Sequence, residues 1–134
     1  MTYCGYIVKV NKLEKHPNAD RLQLATFFGA TTAVSLDVQI GDIGVYFPSD
    51  GQLSVEFCDN NHLCRKNSKG EYDSGYLDPD KRNIKAIKLR GSYSDGIYCP
   101  IWSLNYIFKD NNAAAHLSPG DTIDTINGVW LLWQ

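Results

Sequence analysis

Apolar and polar positions alternate with period two along most of the chain. From Tyr3 to Leu13, Cys4, Tyr6, Val8 and Val10 fall on one face while Lys9 and Asn11 fall on the other, which predicts a half-buried strand. Glu14 to Asp20 is dense in turn formers, and Pro17 drives His16 out of the helical region. Alternation resumes from Arg21 to Phe28, with Leu22, Leu24, Thr26 and Phe28 expected inward. Gly29-Ala30 is suited to closing a tight hairpin into Thr31 to Leu36, where Thr32, Val34 and Leu36 keep the parity. Gly41-Asp42 then turns the chain into another short strand, Ile43 to Phe47, ended by Pro48.

The rhythm dissolves between Ser49 and Asn83. Ser54 to Leu63 predicts a turn or two of helix, with Val55, Phe57 and Leu63 over one end of a core. Arg65 to Asp80 is polar and rich in Gly, Ser, Asp and Asn, a surface excursion by composition. The strand signal returns at Ile84. After Pro100 a helical repeat runs through Ile101, Leu104 and Phe108, followed by a loop from Lys109 to Pro119. Gly120-Asp121 echoes Gly41-Asp42 and opens a strand from Thr122 to Ile126; Asn127-Gly128 turns into an apolar end, Val129 to Trp133. Many short strands, turns between them and little helix predict a mainly β chain built as a small closed or partly open barrel. With no linker to divide it, residues 1–134 are expected to form one domain.

Charge changes this picture at one place. The formal net charge is −2, from 13 Lys and Arg against 15 Asp and Glu, which excludes a generally basic nucleic-acid coat. Yet Lys81, Arg82, Lys85, Lys88 and Arg90 follow one another with no acid before Asp95. Ile84, Ala86, Ile87 and Leu89 are threaded between them, and the apolar parity switches mid-strand. That predicts a bulge or sharp bend near Ala86, leaving Lys88 and Arg90 on one outward face. Such a focused patch suits phosphate contacts; a solvated strand surface is the structural alternative. Ser92, Ser94 and Asp95-Gly96 offer hydroxyls and backbone N–H groups to a phosphate or base edge. Alternatively, Gly91 and Gly96 simply supply positive-φ turns and the serines bond their own backbone. Tyr93 is the stacking candidate for an unpaired base, with Tyr3 and Tyr98 near the same surface.

Other chemistries fare worse. Cys58, His62 and Cys64 cluster three metal-ligand types, with His116 or Cys99 to complete four, but their spacing is not that of structural zinc sites. Free thiols in a reducing compartment are expected instead, with no metal and no cofactor. No apolar run approaches the ~20 residues that cross a bilayer, and the N-terminus has no signal core, so no membrane partner and a cytosolic location are expected. There is no Gly-x-Ser-x-Gly elbow and no P-loop.

Two motifs carry a resemblance. His16-Pro17-Asn18-Ala19-Asp20-Arg21-Leu22 is similar to the first-loop motif of the tRNA-binding OB domains found in some aminoacyl-tRNA synthetases and in free-standing tRNA-binding proteins. Lys88 to Ile97, with Leu89-Arg90-Gly91 and then Ser94-Asp95-Gly96, resembles the second motif of those domains. More closely, Gly41 to Ser54, Gly75 to Arg82 and Ser94 to Gly96 resemble the N-terminal, OB-like domain of RNA ligases of phages and bacteria. The resemblance reaches to Thr125-Ile126-Asn127-Gly128-Val129 and implies that a nucleotidyltransferase domain follows this region in the family. It also implies RNA contact, with tRNA-like or nicked RNA, through Asn18 in the first loop, which His16 shares, and through Lys81, Arg82, Lys85, Lys88, Arg90, Ser92, Tyr93 and Ser94. For Asp20 an Asx-type turn is the better account, and Asn18 remains open between the two roles.

One departure bears on activity. Ligases of this superfamily attack ATP with the lysine of a Lys-x-Asp-Gly motif, and here Tyr93 stands where that lysine would precede Asp95-Gly96. The chain is therefore expected to bind RNA without catalysing ligation. The alternative is an OB-like interaction protein that pairs with its own twin, or with another protein, through Val129 to Trp133.

Overall fold

The computed structural model describes residues 3–61, 84, 86–89 and 91–132, with residues 55, 59, 87–89 and 130 as backbone alone. The chain is mainly β. Its strands are β1 (Gly5–Lys9), β2 (Leu13–Lys15), β3 (Leu22–Phe27), β4 (Ala30–Ser35), β5 (Ile43–Phe47), β6 (Ala86–Leu89), β7 (Ser92–Asp95), β8 (Ile97–Pro100), β9 (Thr122–Ile123), β10 (Thr125–Ile126) and β11 (Val129–Trp130). Among the described residues there are also one α-helix, α1 (Val55–Asn60), and two 3₁₀ helices (Ile101–Ile107 and Ala113–Ala115).

The first predicted strand is two strands with different partners. β1 pairs antiparallel with β5 and β9, whereas β2 pairs with β3, which continues into β4. β5 in turn pairs with β8. Between β4 and β7 the junction is made by side chains, described below. Among the described residues the hydrogen-bonded ladders stay separate and do not close into a barrel.

The sheet containing β1 and β5 is buried on both faces, which a simple alternation does not anticipate. Val8 and Tyr46 pack on one side with Val10, Ala25, Phe27 and Val34. Ile7, Val45 and Phe47 pack on the other, under Phe57 of α1, Leu104 of the first 3₁₀ helix and Leu131. Two-sided burial makes the strand read as nearly continuous hydrophobicity.

On β3 the expected parity is inverted. Ala25 and Phe27 are buried, Leu22 and Leu24 only half so, and Phe28 is 72% exposed. The aromatic partners decide it: the Phe27 ring stacks on Tyr98 at 5.2 Å and meets Tyr46 at 5.0 Å, so the opposite face turns in. The hairpin also closes one residue early. Phe28 and Gly29, both at positive φ (53° and 82°), form its two-residue turn, with Phe27 paired to Ala30. Thr32 and Val34 are buried as expected, but Leu36 is exposed because β4 ends at Ser35.

Ser54 caps α1 by accepting from the Phe57 N–H at 3.1 Å, and its own N–H donates to the Leu131 carbonyl at 2.9 Å. Leu53 bridges to Leu132, and Leu131 and Leu132 are both core residues, so that part of the apolar end is packed within the molecule rather than presented to a twin. The segment after Pro100 is helical but 3₁₀: Ile101, Leu104 and Ile107 recur every three residues, a spacing that aligns in that helix. Residues 62–83, including the expected excursion 65–80, and Trp133 lie outside the described residues.

Candidate nucleic-acid interface

β6 and β7 form an antiparallel pair in unbroken register: Ala86 opposite Asp95, Ile87 opposite Ser94, Lys88 opposite Tyr93 and Leu89 opposite Ser92. No residue is bulged within Ala86–Leu89. The parity switch instead marks a change of partner, since the buried Ile84 exchanges hydrogen bonds with Asp50 and Gly51 while β6 turns to β7. Lys88 is thus the register partner of Tyr93, which is 67% exposed. Directly opposed residues lie on one face of a pair, about 4.5–5.5 Å apart at Cβ. Ser92, at the turn end of β7, is half-buried. Lys81, Arg82, Lys85 and Arg90 lie outside the described residues, as do His62 and Cys64.

Ser94 and Asp95 are committed inside the fold. Ser94 is buried, and its Oγ accepts from the Ala33 N–H of β4 at 2.9 Å. The Asp95 carbonyl accepts from Thr32 Oγ1 at 2.8 Å and from the Tyr46 hydroxyl at 2.7 Å, and its carboxylate accepts from the Ser49 hydroxyl. This corrects the expectation of a free Ser94 hydroxyl: the serine bonds backbone, that of the neighbouring strand rather than its own. Gly96 is required where it stands. Its φ is +87°, and a Cβ there would lie 2.6 Å from both the Phe47 carbonyl and the Tyr46 hydroxyl. The inward parity of Thr32 was legible in the sequence; its bond to Asp95, 63 positions away, had no local signal.

The two sequence motifs meet in space. His16 is buried in the β2–β3 loop and its Nδ1 accepts from the Asn18 N–H at 3.0 Å, which leaves the ring proton on Nε2. The Asn18 amide nitrogen lies 3.2 Å from where a Cβ on Gly91 would be, and Gly91 has φ +87°. Asn18, Gly91, Ser92 and Tyr93 therefore sit at one end of the molecule. The other aromatic candidates are structural: the Tyr3 hydroxyl donates to the Pro48 carbonyl, and Tyr98 lies against Phe27.

The candidate metal ligands are dispersed. Cys58 and Cys99 are core residues, and burial pushes the Cys99 thiol up to about 12. His116 stacks on Phe108 at 4.5 Å and its Nε2 meets Asp110 Oδ2 at 2.8 Å, a bond that holds the Asp110 carboxyl below the usual range. Among the described residues no three such ligands come together. Nor, among them, is any helix long and apolar enough to cross a membrane.

No protein-family model and no curated protein matches the chain. Solved structures of an RNA ligase from Naegleria gruberi share its fold. An apo variant superposes with TM-score 0.64 at 18% identity, over 100% of this chain and 36% of the ligase chain. A variant with ATP and Mn gives 0.63 at 18% identity with the same coverage, and another with ATP and Mn gives 0.59 at 16% over 87% of this chain and 31% of the other. The chain thus spans about a third of the length of the ligase it matches.

Proposed function

We propose that this chain is an RNA-binding accessory domain of an RNA ligase, OB-like in architecture and without ligation chemistry of its own. One observation carries the proposal: over its whole length the chain superposes on a part, about a third, of an RNA ligase. The strand neighbours support the OB-like reading. Taking β1 with β2 and β7 with β8, they run β1/β2, β3, β4, β7/β8, β5 and back to β1, with the β4–β7 step made by Ser94, Thr32 and Asp95. That is the order of a five-stranded Greek-key barrel whose loops and strands bind oligonucleotides.

In this reading RNA, tRNA-like or nicked, lies across the end where Asn18 abuts Gly91 and Tyr93 faces solvent. Lys81, Arg82, Lys85, Lys88 and Arg90 supply phosphate contacts and Tyr93 a stacking face. Ser92 stays in the set at the turn of β7, while Ser94 acts by holding that strand in place. The catalytic lysine belongs to a partner domain.

The test is binding of short RNA, DNA and tRNA at two salt concentrations. RNA affinity is expected to fall with salt and to fall again in Lys88→Ala/Arg90→Ala, with a shallower salt slope as phosphate contacts are lost. No binding at low salt would overturn the proposal. Incubation with labelled ATP is expected to leave no covalent AMP on the protein; a labelled band would overturn its non-catalytic part.

A further inference from the structure

The β3–β4 hairpin turns on Phe28-Gly29, a two-residue turn with both residues at positive φ. Such turns favour Asn-Gly or Gly-Gly, and a bulky residue in the first position is an outlier. Phe28 is nonetheless there, and it is not buried: 72% of it faces solvent. Its ring is tilted against Tyr6, with centroids 5.0 Å apart and planes at 59°, and lies 6.3 Å from Tyr46. An unfavourable turn residue that is mostly exposed is not explained by core packing.

Beside it runs a groove of about 480 Å³, between Phe28 and Tyr6 on one wall and Pro119-Gly120 on the other. The second wall is fixed, because the Gly120 N–H donates to the Ile7 carbonyl at 2.9 Å and the Ile7 N–H to the Asp121 carbonyl at 2.8 Å. Lys9, Asn11 and Thr26 provide the polar groups along the groove. Lys9 and Asn11 are exposed, and among the described residues the Lys9 amine has no carboxylate partner. The nearby Asp121 carboxylate is engaged by the Ser118 N–H at 2.9 Å.

We infer that this groove takes one unpaired nucleobase of a single-stranded RNA, stacked on Phe28. Tyr6 backs the stack, the Asn11 amide and Thr26 hydroxyl meet the base edge, and Lys9 meets the adjoining phosphate. An aromatic face, an adaptable amide and a cation around a space of nucleotide size form the combination that holds single-stranded nucleic acid without strict sequence choice. The site lies at the opposite end of β3 from Asn18, so it is a second contact that extends the path of a bound strand. This inference rests on the RNA-binding reading above.

The experiment uses a short single-stranded RNA carrying 2-aminopurine, with parent protein, Phe28→Asn and Lys88→Ala/Arg90→Ala. Asn is favoured at this turn position, so Phe28→Asn is expected to keep the melting temperature while weakening RNA binding at least about five-fold and losing the fluorescence quench of the stacked base. Should Phe28→Asn fold poorly, Lys9→Ala/Asn11→Ala, at the end of β1 and in the exposed segment just after it, carries the same affinity expectation. If Lys88→Ala/Arg90→Ala weakens binding but neither groove variant does, the groove inference is overturned and the RNA-binding reading stands. If the parent binds no RNA, both fall. A Phe28-dependent dimer formed without RNA would assign the groove to a second copy and overturn it as a base site.

Discussion

A single hydroxyl and a single glycine hold the edge on which the candidate interface is built. Ser94 Oγ is the acceptor for the Ala33 N–H, so Ser94→Ala leaves a half-buried backbone donor unmet, at a cost of up to about 1–3 kcal/mol. Thr32→Val is milder, because the Asp95 carbonyl keeps its bond from the Tyr46 hydroxyl. Gly96→Ala combines a positive φ with a contact of 2.6 Å to the Phe47 carbonyl, where the neighbour is backbone and does not yield cheaply. Urea unfolding is expected to rank the losses Gly96→Ala, then Ser94→Ala, then Thr32→Val; a neutral Ser94→Ala would show that water replaces its bond. The Ser-Asp-Gly motif was legible as a motif, but its chemistry was not. The same residue types that cradle a phosphate also knit two strands, and only the position of β4 decides between them.

Short elements here depend on distant ones. α1 is too brief to persist alone, and it is tied down by its Ser54 cap, by the Ser54–Leu131 backbone bond and by Asn61, which donates to the Phe57 and Ser103 carbonyls at 3.0 and 3.1 Å. Leu131→Ala is therefore expected to lose about 2–5 kcal/mol and, beyond that, to raise hydrogen exchange in α1 and β11 ahead of β3 and β4. Uniform loss of protection would mean that the two cores unfold as one unit. Most strands were legible, because alternation and the Gly-Asp and Asn-Gly turns are local. The parity of β3 was not: hydropathy favours Leu22 and Leu24, whereas the stack of Phe27 with Tyr98 is a contact between remote segments. The 3₁₀ character of Ile101–Ile107 was visible only as a three-residue spacing that a four-residue repeat through Phe108 obscured.

At the scale of the molecule, two cores share one sheet, and that arrangement buries groups that ionise only in alkali. Burial moves the Cys99 thiol from its ordinary 9 up to about 12 and raises the phenols of Tyr3, Tyr98 and Tyr106 as well. In the unfolded chain these groups lose protons near their ordinary values, while in the fold they stay neutral. The unfolded state is thus favoured as pH climbs, and the stability present below pH 9 is lost progressively toward pH 12 for the thiol, with the phenols adding to the fall at its upper end. Tyr106 isolates the effect, since its hydroxyl is buried with no hydrogen-bond partner among the described residues. Removing that hydroxyl leaves no partner stranded, so Tyr106→Phe is expected to match or exceed the parent in urea at pH 7. At about pH 10.5, where a free phenol is already roughly three-quarters ionised, the variant is expected to retain more of its stability than the parent. A lower midpoint for Tyr106→Phe at neutral pH would reveal a partner for the hydroxyl, and equal alkaline losses in both proteins would place the titration on other groups.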